Sequence, residues 1–451
     1  MRYLSAVAVG CSLLLSSLSS LAQNNTTVKV LSFKDAVKLG MQNNLTLTQQ
    51  KNQLDYTQIN KTSSLLQLGP SVQANWDLYR NDGNSFNPNE GQVVNGVVDY
   101  VGGSVSASMP VFTGFGMLNS HRAANNANEA QLHQVVRSTQ DVMRDVSNQF
   151  LACLRDRELI KVAEENVRTQ QATFEQISEQ ANLGVKAEAD KVNQEYLLRN
   201  AELLLLRAQN QFKNDKATLA VTISTDPATF EVGEVDWDIN ALIQDSTSLE
   251  EMYKVASDRR SDLKQASYAE RSFQFGYAAS RGRWFPNVYA NIQYGSRYNY
   301  IQGADNRSFH DQFYNDNTQL SYGFSIGIPI WNGLLTRSQA AQTRMQYRNS
   351  TTRRKNTEVV VKSDVLLAYQ NFADARTNYT TSQLQLRAAE LAYLMEKERY
   401  DLGISNIVQL STVNQTYVKA QGDFETARFS LMFQRILIDY AMGTLQMEDI
   451  P

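Results

Sequence analysis

The sequence predicts an internally duplicated α+β membrane protein, in which each half supplies two short strands and a pair of long helices. Three observations carry this. From Leu320 to Ile328 apolar residues alternate with Ser and Gly, a period of two that makes a strand with one apolar face. Past Pro329 and Trp331-Asn332-Gly333 a proline-free, helix-forming stretch begins. As one helix of about 65 residues it would be ~100 Å long at 1.5 Å per residue. The same grammar stands earlier in the chain. Val101, Gly103, Val105, Ala107 and Met109 alternate with Gly102, Ser104, Ser106 and Ser108, and Pro110-Val111-Phe112-Thr113-Gly114 leads into another such stretch.

Taken in order, residues 1–22 carry a basic Arg2, an apolar run through Leu15 and the small-x-small site Ser20-Leu21-Ala22. This is the pattern of a secretory signal peptide, with the mature chain starting near Gln23. Too little apolar chain precedes Cys11 for a lipid-attachment signal. Cleavage leaves Cys153 as the sole cysteine, so no internal disulfide is expected. The first repeat, 23–240, opens with a helical pattern over 31–68, with Ser32 as N-cap and an interruption at Asn43-Asn44. Gly69-Pro70 ends it. Alternation over 71–80 makes a strand, 81–95 is rich in Asn, Gly and Pro and reads as a loop, and a second strand covers 98–109. Long helices follow over 114–180 and 188–223, broken at Asn182-Leu183-Gly184, and 224–245 is an irregular connector.

The second repeat, 241–451, restarts the pattern. A helix is expected over 248–281, then strands over 287–296 and 319–328 flanking a polar loop. Long helices over 333–400 and 404–442 are broken at Asp401-Leu402-Gly403. Four of the seven prolines mark strand–helix junctions: Pro70 pairs with Pro286, and Pro110 with Pro329. Gly184 and Gly403 recur at an offset of about 220 residues, as do Val192-Asn193-Gln194 and Val413-Asn414-Gln415.

Strands of about ten residues are long enough to cross a tilted bilayer path. Apolar on one face and Ser, Gly, Asn or Gln on the other, they suit lipid outside and water inside. Beyond the signal no run of about 18 apolar residues occurs, so a crossing must use strands. Aromatic residues gather at the proline ends (Phe112, Trp284, Phe285, Trp331) and at the loop ends (Tyr79, Tyr100, Tyr298, Tyr300), as at two membrane interfaces. Four strands leave open edges, which lipid does not tolerate. The barrel must be shared between subunits. A dimer gives eight strands and a trimer twelve, and a water path favours the larger, because side chains fill an eight-stranded interior. The helices carry narrow heptad-like stripes: Leu410, Val413, Tyr417, Ala420, Phe424, Ala427 and Leu431 in one, Val192, Tyr196, Arg199, Leu203, Leu206 and Asn210 in the other.

Catalytic chemistry finds no constellation. His121, His133 and His310 lack ligand-spaced partners, so no metal site is expected. Gly114-x-Gly116 has no third glycine and no cofactor-binding context. A net charge of −3 offers nucleic acid no attraction.

With its two Pro-x-aromatic-x-Gly entries, Tyr400-Asp401-Leu402-Gly403-Ile404 before the Val413-Asn414-Gln415 helix, and the closing Tyr440-Ala441-Met442-Gly443-Thr444-Leu445, the chain resembles TolC-type outer-membrane efflux proteins over its mature length. The resemblance implies a homotrimer with a twelve-stranded barrel in the outer membrane of a Gram-negative bacterium and a periplasmic α-barrel. It also implies a periplasmic adaptor and an inner-membrane pump as partners, and no enzymatic activity or cofactor. Aligning on Gly184 and Gly403 places Asp190 and Tyr400 at positions that bond across the closed periplasmic tip of such proteins. Ser405 stands where a basic link would be, and Gln409 and Thr412 stand where an aspartate ring would be. A weak tip latch with little cation sensitivity is the expectation. A structural or adhesive envelope protein using the coiled coil as a spacer is the other reading of the same pattern.

Overall fold

The computed structural model describes residues 29–87, 91–235, 237–244 and 248–450; the expected signal segment 1–22 lies outside them. Strand β1 (Lys29–Leu31) leads into α1 (Phe33–Asn43) and α2 (Leu45–Leu66). Ser32 caps α1 by accepting from the Asp35 N–H, and Asn44 separates the two helices while its side chain caps α2 through Leu47 N–H. The N-cap and the break are where the sequence put them, although Leu31 belongs to β1 rather than to the helix.

Strands β2 (Ser71–Asn87) and β3 (Gln92–Thr113) form one antiparallel hairpin, longer than expected at both ends. The segment expected as a loop over 81–95 is mostly ladder. Cross-strand pairs explain why the Asn- and Gly-rich residues stay extended: Tyr79 stacks on Tyr100 at 4.5 Å, and Arg80 grips Asp99 with two bonds of 2.6 and 2.8 Å. At the other end β3 passes through Pro110 to Thr113, with a bulge between Pro110 and Phe112 that absorbs the missing donor.

Helices α3 (Gly116–Asn182) and α4 (Glu188–Thr222) follow, then β4 (Phe230–Val232) and α5 (Ile239–Gln244). β4 lies parallel to β1, a pairing unseen in the sequence because each strand has only three residues. The stretch expected as one helix over 248–281 is two, α6 (Leu249–Arg259) and α7 (Ser261–Gly282). They part at Arg260, whose ψ of 118° leaves the helical region. Its side chain is 1% exposed and bonds Asp262, Asp364 and the Ala441 carbonyl. Next come β5 (Asn287–Ile301), β6 (Gln319–Gly327), α8 (Leu335–Asp401) and α9 (Ile407–Met442). The four long strands make one antiparallel sheet in the order β2-β3-β5-β6.

The thickest core sits midway along the helices. There α1, β1 and β4 pack on α3, α4 and α9 through Phe33, Val37, Val146, Phe150, Leu219, Phe230 and Ile436. Phe33 stacks on Phe150 at 5.0 Å. Elsewhere the long helices hold together by narrow seams. Tyr379 meets Phe424 at 5.5 Å, and Tyr393 stacks on Tyr417 at 5.4 Å, so the stripe from Leu410 to Leu431 is the α8–α9 seam. The stripe on α4 behaves differently. Val192, Tyr196, Leu203 and Leu206 are exposed, and α4 meets α3 through Gln194, Leu198 and Ala201 instead. Its apolar side is left for something outside the chain.

Candidate functional site: duct wall and helical tip

The sheet has the two faces that the alternation predicts. One carries Val72, Trp76, Leu78, Ile292, Tyr322, Phe324 and Ile326, all exposed in the isolated chain. Along it Trp76 lies over Gly103, where a Cβ would come within 2.7 Å of the ring, and stacks on Phe313 at 6.1 Å. The face turns polar at the Arg80–Asp99 pair. From Ser71 to Arg80 is nine steps, ~30 Å along a strand and ~23 Å in height at a tilt of about 40°, the thickness of a barrel's apolar band. Trp284, Phe285 and Trp331 stay exposed at the lower edge of that band. The expected upper girdle divides: Tyr298 and Tyr300 share the apolar face, whereas Tyr79 and Tyr100 belong to the polar one.

The opposite face carries Asp77 and Arg297 on either side of Gly102 and, toward its proline end, neutral polar groups bonded across the strands. Ser71 Oγ donates to the Ser108 carbonyl at 3.3 Å, Ser108 Oγ to Asn291 Oδ1 at 2.8 Å, and Asn291 Nδ2 to Ser325 Oγ at 2.9 Å. Water wets such a row without stranding any donor, which is what the inside of a duct requires.

Strand–helix junctions lie where the prolines predict. Pro70 and Pro286 directly precede β2 and β5, Pro110 sits at the β3 bulge, and Pro329 follows the end of β6. Long helices start from left-handed backbone at Gly114-Phe115 (φ 59° and 60°) and at Gly333-Leu334 (φ 62° and 65°). A non-glycine residue there is strained.

At the far end, both hairpin turns are glycine-terminated. Gly184 and Gly403 take φ of 76° and 73°. Val185 N–H reaches Gln180 O at 2.8 Å and Ile404 N–H reaches Arg399 O at 2.9 Å, which closes both helices with the same Schellman geometry. Around them Tyr400 is buried with Ile177, Ile407 and Leu410, with the Lys186 ammonium 5.2 Å from its ring centre. The expected Asp190–Tyr400 hydrogen bond is not made: the Tyr400 hydroxyl is buried without a partner. Burial, then the Asp190 and Asp401 carboxylates, push that hydroxyl above its ordinary range. Ser405 is occupied inside its own hairpin: its hydroxyl donates to the Glu396 carboxylate and lies 2.9 Å from the Gln409 side-chain amide, and Arg399 holds Glu396 at 2.9 Å. Thr412 bonds only its own helix, through the Val408 carbonyl at 2.8 Å.

Polar contacts that tie the tip together escaped the sequence reading. Gln194, 1% exposed, donates to Gln170 at 2.7 Å between α3 and α4, and Asn414 donates to Asn166 at 3.2 Å between α9 and α3. The recurring Val-Asn-Gln triplet marked both places. It did not reveal that Gln turns inward in one copy and Asn in the other.

A sheet with one oily face, one wet face and two free edges, continued by helical hairpins that end in a tip, defines one sector of a membrane duct. The model of the family described as outer membrane efflux protein matches residues 37–224 and 252–444. The chain belongs to the outer membrane efflux protein family, and it is an exit duct in the outer membrane with its helices on the periplasmic side. Among solved structures it is similar to the outer membrane protein VceC of Vibrio cholerae, at TM-score 0.80 and 12% identity over 91% of this chain and 96% of that one. It is similar also to the CmeC outer membrane channel of Campylobacter jejuni, at TM-score 0.79 and 14% identity over 92% and 88%. For the open state of the MtrE outer membrane channel of Neisseria gonorrhoeae the values are 0.74 and 15%, over 92% and 91%. No curated protein matches the sequence.

Proposed function

We propose that three copies close their sheets into a twelve-stranded barrel and act as a passive duct, fed by an adaptor and an inner-membrane pump. The observation that carries this reading is the pair of free edges. β2 and β6 each have one unpaired side, and the helices beneath bear apolar stripes on the same two flanks. Val192, Tyr196, Leu203 and Leu206 line α4; Leu384, Leu391, Leu394 and Met395 line α8; all are exposed in the single chain. Stripes at heptad spacing bury each other when sectors meet side by side. Closing the sheet removes the edges that lipid forbids.

The tip is the gate in this reading. Gly184 and Gly403 turn the hairpins, the Asp190 carboxylate lies near Tyr400 without bonding it, and Ser405, Gln409 and Thr412 sit at the mouth. With the Tyr400 hydroxyl unpaired, the closed state rests on the Glu396–Ser405 and Gln194–Gln170 contacts, and opening slides packed helices past each other. Single-channel recording in planar bilayers tests the duct. Purified protein should give unitary steps of defined size from a species of three chains. A folded protein with no conductance would support the spacer reading instead.

A further inference from the structure

The register of the sheet sorts its charges by face. Arg80, Asp82 and Asp99 share the face of Trp76. Among the described residues of the four strands, the wet face holds two charges only, Asp77 on β2 and Arg297 on β5. Both are paired with Gly102 of β3, which stands between them. Two strand spacings, roughly 10 Å, therefore separate their Cα atoms. Both are exposed, and among the described residues neither side chain makes a hydrogen bond or an ion pair. The wall between them is aromatic. Tyr100 bends along β3 until its phenol lies over Gly102, where a Cβ would meet the ring and the hydroxyl at 2.8 Å, so glycine is what admits it. Tyr79 stacks on Tyr100 at 4.5 Å. Together with Asn317 and Gln319, the two charges and Tyr100 bound a cavity of about 250 Å³. Pockets that enclose a drug-sized molecule hold about 300 to 1,000 Å³, so this recess receives one ring of a solute rather than the whole of a large one.

We infer that this recess is a transit subsite for zwitterionic aromatic solutes: the carboxylate of a passing molecule pairs with Arg297, its ammonium with Asp77, and its ring lies on Tyr100. The inference rests on the duct reading above and adds the class of solute that the duct wall recognises. A planar guanidinium takes a carboxylate as a fork with two parallel bonds. An aromatic ring settles on a phenol in an offset stack. A para-substituted ring carries its two charged groups far enough apart to reach both strands at once. A solute with one charge engages one side of the recess and leaves the other ion without a counterpart. The remaining edge strand does not disturb the arrangement, because β6 offers Gln319, Ser321, Gly323, Ser325 and Gly327 on this face. Copies that close beside β2 therefore bring no charge to cancel Asp77, and each sector of the duct keeps its own recess. Ion contacts at a wetted wall are weak and screened by salt. That suits a passage, where a solute is oriented briefly and then released.

Ligand-observed NMR on the full-length protein in detergent tests the recess without relying on conductance. The probe is para-aminomethylbenzoic acid at neutral pH and low salt, compared with benzylamine and benzoate, which each carry one of its charges. The probe should bind about fivefold more tightly than either, the worth of one exposed ion contact. Asp77→Asn and Arg297→Gln should each remove that margin, and so should high salt. Exchanging the charges, Asp77→Arg together with Arg297→Asp, should restore it with the probe reversed, which a variant damaged in its fold could not do. Equal binding of the three compounds, or a margin that survives either single variant, would overturn the inference. A loss that the charge exchange does not repair would overturn it as well. Planar-bilayer recording of the same protein keeps the two readings apart. Unitary steps without the binding margin refute the recess and leave the duct standing. The margin without unitary steps refutes the duct, and the transit role with it.

Discussion

Arg260→Met removes one charge from the point where α6, α7, α8 and α9 meet. The guanidinium is 1% exposed and makes bonds of 3.0 and 2.5 Å to Asp262, 3.0 Å to Asp364 and 3.2 Å to the Ala441 carbonyl. Methionine fills much of the volume and leaves both carboxylates without their cation. Breaking a buried pair on one side costs about 3 to 5 kcal/mol. The Asp364 side chain is 40% exposed and recovers water, whereas that of Asp262 is 23% exposed and does so less, so the lower end, about 3 kcal/mol, applies. Unfolding entropy of about 2 cal/mol/K per residue makes this a drop in apparent Tm of about 3 °C. The pH dependence identifies the cause. Burial alone would raise the Asp262 carboxyl, but the Arg260 guanidinium overrides it and holds the group below its ordinary range. A depressed native pKa contributes stability above the unfolded value and loses it as pH falls through the native one. The variant lacks that contribution, so its deficit should be full at pH 7.5 and shrink only below the ordinary carboxylate range, toward pH 3. Scanning fluorimetry of both proteins in detergent at the two pH values measures this. A deficit equal at both, or none at pH 7.5, would refute the electrostatic account.

Further outcomes follow from the same contacts. The Tyr440 hydroxyl, pushed up to about 12 by burial and its bond to Asp141, gives stability that is complete below pH 10 and lost as pH climbs toward 12. Tyr440→Phe should flatten that alkaline loss in a denaturation series. Gly403→Ala meets no neighbour within 4 Å yet must hold φ of 73°, so about 1 to 2 kcal/mol of local strain should speed protease nicking at the tip and leave trimer melting unchanged. Ser405→Ala, which removes the Glu396 contact, should raise the resting conductance, while Tyr400→Phe, which removes an unpaired hydroxyl, should not. Deleting Val288–Tyr294 should abolish assembly and membrane insertion alike, as judged by size exclusion and membrane fractionation.

Strands, junction prolines and long helices were legible because each has a period or a punctuation mark that survives without tertiary context. Local pattern failed where a distant partner decides. The 81–95 segment looks like a loop until Asp99 and Tyr100 stand opposite Arg80 and Tyr79. Arg260 looks like a surface residue of one helix until Asp364 and Ala441 arrive from the far end of the chain. β1 and β4, three residues each, have too little length for any period. At the tip the glycine turns were evident, since only their backbone geometry mattered. The Asp190–Tyr400 bond expected from the sequence is not made, because a difference of one helical step decides whether a hydroxyl meets a carboxylate or an apolar wall. The α4 stripe was read correctly as apolar. Which helix covers it is not a property of one chain's sequence pattern.

The Ser71–Ser108–Asn291–Ser325 row has a consequence for traffic. Neutral groups bonded to one another present no fixed sign to a passing solute, so at that level anions, cations and uncharged molecules are treated alike. A cell that installs such an opening in its outer envelope gains no filter there. In the proposed reading, discrimination and protection against leakage fall to the tip at the opposite end of α3, ~100 Å away by its 67 residues at 1.5 Å each. Further along the same face Asp77 and Arg297 flank Gly102, so a solute that has passed the neutral row does meet charge before it leaves.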